Sequence, residues 1–210
     1  MDFMESLLIR GGPIMWPLLL CSLTSLTIII ERLFFWWRDK IRHDDTSLKR
    51  IFDLTEHGNY DAARAMASQH LDSSVKVVLS GLMHREHGIT EAMQIEAENE
   101  LEKMKQGLPI LDTIITLSPL LGILGTVIGI IKSFNLLGAS GMQNPQAVTG
   151  GIAQALITTA AGLSIALLTL VPFNYFVVKA QKATKKMEQI ATQFEVIYRK
   201  SLSANASTEG

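Results

Sequence analysis

Cysteine is nearly absent: the single Cys21 among 210 residues excludes an internal disulfide, and its place in an apolar run marks it as an inert packing thiol. A basic surplus is missing too. Lys and Arg number 19 against 20 Asp and Glu, a net charge of −1, which argues against binding the phosphate backbone of a nucleic acid. The chain has no glycine-rich phosphate loop, no nucleophile elbow and no zinc-protease motif, so no enzyme, cofactor or metal site is expected. His84 and His87 lie one helical turn apart, but without a cysteine or third ligand they read as solvated surface histidines. No small-x-small cleavage site follows the first apolar run, which marks it as a retained anchor rather than a signal peptide.

What is present is segregated apolarity. Hydrophobic residues make up 48% of the chain, yet the mean hydropathy is only +0.24, because charged and polar residues offset them in the average while occupying different stretches. Residues 14–37, 109–137 and 151–178 each reach the ~20 apolar residues that a bilayer core requires. The first ends in Glu31-Arg32-Leu33-Phe34-Phe35-Trp36-Trp37, a charged flank with an aromatic belt. Arg10 alone precedes it, whereas Arg38, Lys40 and Arg42 follow; the uncharged 138–146 loop joins the second and third runs, and Lys179, Lys182, Lys185 and Lys186 follow the third. All three junctions predict an amino terminus outside and a carboxy terminus inside. The expected organisation is an outer segment (1–13), span (14–37), cytoplasmic helical domain (38–108), span (109–137), outer loop (138–150), span (151–178) and cytoplasmic helical tail (179–210).

Residues 38–108 are punctuated for helices. Ser47 is expected to cap a helix ending near Gly58, a second covers residues 60–70, and Ser73 or Ser74 opens a third that stops at Gly88. Thr90 is expected to cap a run over residues 91–106 rich in strong helix formers, entering the second span either straight or with a kink at Pro109. The tail continues the third span, with Met187, Ile190, Ala191, Phe194 and Ile197 as its apolar stripe, and residues 203–210 read as a disordered end.

Polar residues inside apolar spans are expensive and point to function or to helix packing. Asp112, Thr116, Ile123, Thr126, Ile130 and Ser133 fall within one broad stripe of the second span; Gln154, Thr158 and Ala161 share a face of the third, with Thr159 beside it. Gly122, Gly125 and Gly129 form a small-residue seam, as do Ala155, Thr159, Gly162 and Ala166, and such seams build rigid walls. The candidate pore lining is therefore Thr116, Thr126, Ser133, Gln154, Thr158 and Thr159. Asp112 is either a solvated rim charge or a proton exit, and Lys132 lies at the outer rim, where it can snorkel.

Ser118-Pro119-Leu120-Leu121-Gly122-Ile123-Leu124-Gly125-Thr126-Val127-Ile128-Gly129 and Gly151-Ile152-Ala153-Gln154-Ala155-Leu156-Ile157-Thr158-Thr159-Ala160-Ala161-Gly162-Leu163, followed by Pro172-Phe173-Asn174-Tyr175-Phe176, resemble the MotA/TolQ/ExbB proton-channel family. The likeness is close over residues 109–178, and three spans with the soluble helices after the first favour the ExbB and TolQ branch. The resemblance implies an all-α integral membrane protein of three transmembrane helices with long cytoplasmic extensions, assembled as a homopentameric ring in the bacterial inner membrane. It also implies an ExbD-like single-span dimer in the pore, a TonB-like protein that receives the motion, and contact with membrane lipids. Thr126 and Thr159 match the family's pore-lining threonines, while Gln154 stands where the best-known members have glutamate. An amide cannot titrate. The alternatives are a TolQ-like role in envelope maintenance, a non-conducting scaffold, a solute transporter, and sodium in place of protons.

Overall fold

The computed structural model describes residues 12–42, 45–70, 72–85, 88–140 and 145–208. Among them are seven helices and no strand: α1 (Met15–Arg42), α2 (Asp45–Glu56), α3 (Tyr60–Ala67), α4 (Ser73–Met83), α5 (Ile89–Lys105), α6 (Leu108–Ser140) and α7 (Pro145–Thr208). Stretches within Met15–Asp39, Ile89–Gly138 and Thr149–Ser203 are long and apolar enough to cross a membrane. The chain forms two compact units, one from Met1–Arg32 with Gly107–Phe176, the other from Leu33–Gln106 with Val177–Gly210.

In the first unit, small residues let α6 and α7 run antiparallel with their backbones almost touching. The pairing descends in register: Ser118 lies opposite Gly162, Gly122 opposite Thr159, Gly125 opposite Thr158, Gly129 opposite Ala155 and Ser133 opposite Gly151. α1 contributes a stripe at seven-residue spacing, Leu18, Ser25 and Arg32, all buried. Arg32 is 2% exposed and is bonded through Nε and Nη2 to the Glu31 carboxylate, so the buried guanidinium has a counter-charge. Trp16, Leu20, Leu23 and Leu26 of α1 and Leu120, Ile123 and Val127 of α6 are exposed, the pattern of a surface whose solvent is hydrocarbon or another chain.

The second unit is a helical bundle with an ordinary core. Val75, Val77, Val78 and Leu82 of α4 are buried with Met93 and Met104 of α5, and a Cβ on Gly81 would stand 2.7 Å from Met93 Cγ. The tail of α7 is stapled to α2 and α3. Phe194 is fully buried, with ring centroids 6.0 Å from Phe52 and 6.5 Å from Tyr198. Tyr60 and Ser201 share a 2.8 Å hydrogen bond, and Lys200 Nζ lies 2.7 Å from the Glu56 carboxylate.

Several helix limits differ from the sequence expectation. α2 opens at Asp45, so Ser47 lies inside its first turn, buried, rather than capping it. α4 is capped by Asp72, whose Oδ1 accepts from Ser74 N at 2.7 Å, and it stops at Met83 rather than Gly88. α5 begins at Ile89 behind Gly88, with no side-chain cap, so Thr90 does not serve as one. The passage into the second span is neither straight nor kinked at Pro109: α5 ends at Lys105, and Gly107, at φ +79°, breaks the chain before α6. That conformation suits glycine, and a Cβ there would also stand 2.8 Å from Ile28 Cγ2. At the carboxy end the 64-residue α7 carries on through the predicted disordered stretch to Thr208. The expected outer loop 138–150 is shorter than predicted, because α6 runs to Ser140 and α7 opens at Pro145. Residues 1–11 and 141–144, and with them most of the first outer segment and the middle of the second, lie outside the described residues, as does His87.

Candidate functional site

The polar groups of the two later spans meet where the seam brings their helices together. Thr126 Oγ1 and Thr159 Oγ1 are hydrogen-bonded to each other across it. Thr159 donates to the Gly122 carbonyl at 2.9 Å, while the Thr126 hydroxyl is 3.2 Å from the same carbonyl and 3.3 Å from that of Ala155. Each hydroxyl has one proton. With Thr159 donating to Gly122, its lone pairs are left to accept from Thr126, a consistent assignment for the pair. Both threonines are half-buried, so the pair forms part of the wall and part of its surface.

Thr158 and Ser133 lie deeper. They are 1% and 2% exposed and donate to carbonyls of their own helices, Gln154 at 2.9 Å and Gly129 at 3.0 Å. This burial makes them packing residues of the seam, away from any surface that this chain presents. Thr116 is exposed and bonded to the Thr113 carbonyl at 2.9 Å, with Asp112 exposed one turn earlier. Lys132 is exposed towards the other end of α6.

Gln154 is half-buried, and its amide lies against a backbone that the sequence did not suggest. A Cβ on Gly12 would stand 2.0 Å from Gln154 Nε2, and Gly12 adopts φ +76°. Gly12, three residues before α1, thus limits where that amide can point. Gly151 was also missed as a seam residue, although a Cβ there would meet Ser133 Oγ at 2.1 Å. Its four-residue spacing from Ala155 was the available signal. Ser118 Oγ is buried with no hydrogen-bond partner, two residues after the exposed Thr116 on the same helix. The four glycines proposed for packing, Gly122, Gly125, Gly129 and Gly162, all face α7 or, for Gly162, α6.

No group of three His, Cys, Asp or Glu suited to a metal occurs among the described residues, and His84 Nδ1 lies 3.0 Å from the Ser80 carbonyl of its own helix. Among the described residues, an ionisable cluster in the second unit gathers around Glu100. The Glu100 carboxylate, 4% exposed, takes hydrogen bonds from Ser73 Oγ at 2.7 Å, Lys103 Nζ at 2.8 Å and Lys76 Nζ at 3.0 Å. Burial pushes its pKa up, but the bonds from Lys103, Ser73 and Lys76 outweigh that and hold it at about 2.

Residues 63–189 match the MotA/TolQ/ExbB proton channel family. An ExbB-like biopolymer transport protein of Synechocystis sp. is 35% identical over 199 residues, covering 91% of this chain and 77% of the relative. The biopolymer transport protein exbB1 of Vibrio cholerae is 29% identical over 200 residues, covering 90% of this chain and 85% of the relative. The Tol-Pal system protein TolQ of Pseudomonas aeruginosa is 34% identical over 110 residues, covering 52% of this chain and 48% of the relative. With three membrane-length apolar stretches and a match that spans the hydroxyl-bearing seam, this chain is a membrane protein that belongs to the MotA/TolQ/ExbB proton channel family.

Proposed function

We propose that the chain is the ring subunit of an ExbB-type inner-membrane motor. Five copies surround a dimer of ExbD-like single-span partners, and proton flow past the partner's carboxylate drives motion delivered to a TonB-like protein for outer-membrane transport. The observation that carries this reading is the Thr126–Thr159 pair, two half-buried hydroxyls joined across a wall of glycines at the family's pore positions. The amino terminus faces the periplasm and the carboxy terminus the cytoplasm, from the lysine and arginine asymmetry. No step calls for enzyme chemistry. The ExbB role is preferred to the TolQ role because relatives that align over about nine tenths of this chain carry ExbB names, whereas those that align over about half carry either name.

In this scheme the wall does not titrate and the partner alone carries the proton. Gln154 donates to the partner's carboxylate when it is charged and accepts from it when it is neutral. Asp112, exposed where α6 begins, is the candidate proton exit.

Native mass spectrometry of the complex co-expressed with its neighbouring genes is expected to show five copies of this chain with two of a small single-span protein. A ring or monomer without such a partner would favour a scaffold. Thr159→Val keeps shape and deletes the shared hydroxyl, and is expected to lower proton-coupled uptake about tenfold, the equivalent of one strong hydrogen bond. Gln154→Ala should lower flux as well, and Gly12→Ala should mimic it by displacing the amide while adding about 1 kcal/mol of backbone strain. Parental flux in Gln154→Ala would leave that side chain a packing role only. Gln154→Glu then reports hydration: it is tolerated in a wet site and impairs flux in a dry one.

A further inference from the structure

Within the second unit, α1, α4, α5 and α7 enclose a cleft of about 480 Å³ that the motor reading does not use. Its most unusual group is Trp36. The residue is 6% exposed, lines the cleft, and its indole Nε1 has no hydrogen-bond partner. A buried indole N–H normally finds an acceptor, so this orphan donor marks a place where an acceptor belongs.

The charges beside it fit an anion. Lys179, Lys182 and Lys186 recur at three- and four-residue spacing, which puts them on one face of α7, and all three line the cleft. Lys179 Nζ also lies 5.1 Å from the centroid of the Trp36 ring. Among the described residues, Asp39 and Asp72 are the acidic groups of the lining, so three lysines stand against two aspartates there and leave one positive charge. A singly charged anion neutralises it.

The sequence gives the depth of the site. Lys179 is the first charged residue after the uncharged run 151–178, and Trp36 lies in the aromatic belt that closes the first apolar run. Trp and Lys at such junctions lie at the level of lipid headgroups. We propose that this cleft binds the phosphodiester headgroup of an acidic membrane lipid, with Trp36 Nε1 and the lysines of α7 as donors.

The test uses the full-length protein, delipidated in mild detergent and titrated with phosphatidylglycerol or phosphatidylcholine of the same acyl chains, with bound lipid read by native mass spectrometry. Phosphatidylglycerol is expected to bind about tenfold more tightly than phosphatidylcholine. Lys182→Gln, at an exposed position that should not disturb folding, is expected to weaken it about fivefold. Trp36→Phe keeps the ring and removes only the N–H, and should weaken it also, whereas Lys132→Gln on α6 should leave it unchanged. Equal affinity for the two lipids, or parental binding in Lys182→Gln, overturns the proposal. Displacement of the bound lipid by millimolar inorganic phosphate overturns the lipid assignment in favour of a free anion.

Discussion

Gly162→Ala is expected to destabilise the protein by about 2–3 kcal/mol or more and to abolish coupled transport. The added Cβ would stand 2.4 Å from the Ser118 carbonyl oxygen and 3.2 Å from Gly122 Cα. Both obstacles are backbone, so no side chain can swing aside, and α6 and α7 must separate. The glycines of the seam then form a graded series. At Gly129 the nearest obstacle is the Ala155 methyl at 2.8 Å, followed by the Gly151 carbonyl oxygen at 3.1 Å. At Gly138 nothing lies within 4 Å, so Gly138→Ala removes only a flexible residue from a helix and is expected to raise stability by about 0.5–1 kcal/mol. Thermal unfolding in one detergent ranks the three variants. Equal midpoints for Gly162→Ala and Gly138→Ala would mean that the close approach is not maintained.

The second large effect is acid sensitivity centred on Glu100. A carboxylate held at about 2 instead of 4.5 contributes stability that is fully present above pH 4.5 and is lost as the pH falls towards 2. Its lysine partners are 34% and 57% exposed, so after allowance for screening the contribution is on the order of 2 kcal/mol. Glu100→Ala is expected to cost about 2–3 kcal/mol at pH 7, because it removes the shared acceptor of Ser73, Lys76 and Lys103. Glu100→Gln should flatten the pH dependence between 4.5 and 2. Amide exchange over α4 and α5 measures both. Exchange in Glu100→Gln that still accelerates with acid as the parent's does would place the sensitivity elsewhere.

The sequence made one part of the architecture legible because membranes demand long apolar runs and glycine seams have a readable spacing. The three spans, the helical character of residues 38–108 and the opposed faces of α6 and α7 follow from those constraints. Glu100 was not legible. It lies in a run of Glu and Lys that reads as a solvated helix face, and only the return of Ser73 and Lys76 from α4 gives it an interior. Helix ends were misjudged where several cap residues compete within a few positions, as with Asp72, Ser73 and Ser74. The polar stripe of α6 was drawn too broadly: its members diverge, with Ser133 buried, Thr126 half-buried and Thr116 exposed, because one neighbouring helix covers only part of such an arc. Gly12 beside Gln154 is a contact between residues 142 positions apart, for which no local pattern exists.

Where glycines bring α6 and α7 together, the contact is made by bare Cα atoms, methyls, hydroxyls and carbonyls: Ser118, Gly122, Gly125, Thr126, Gly129 and Ser133 on one side, Gly151, Ala155, Thr158, Thr159 and Gly162 on the other. None of these side chains gains or loses a proton anywhere near neutrality. Acidifying one side of the membrane relative to the other therefore leaves the fit of the two helices unchanged. A device fuelled by acidity would have its bearing surfaces made of groups indifferent to it, and its clearances would stay constant as the fuel supply rises and falls.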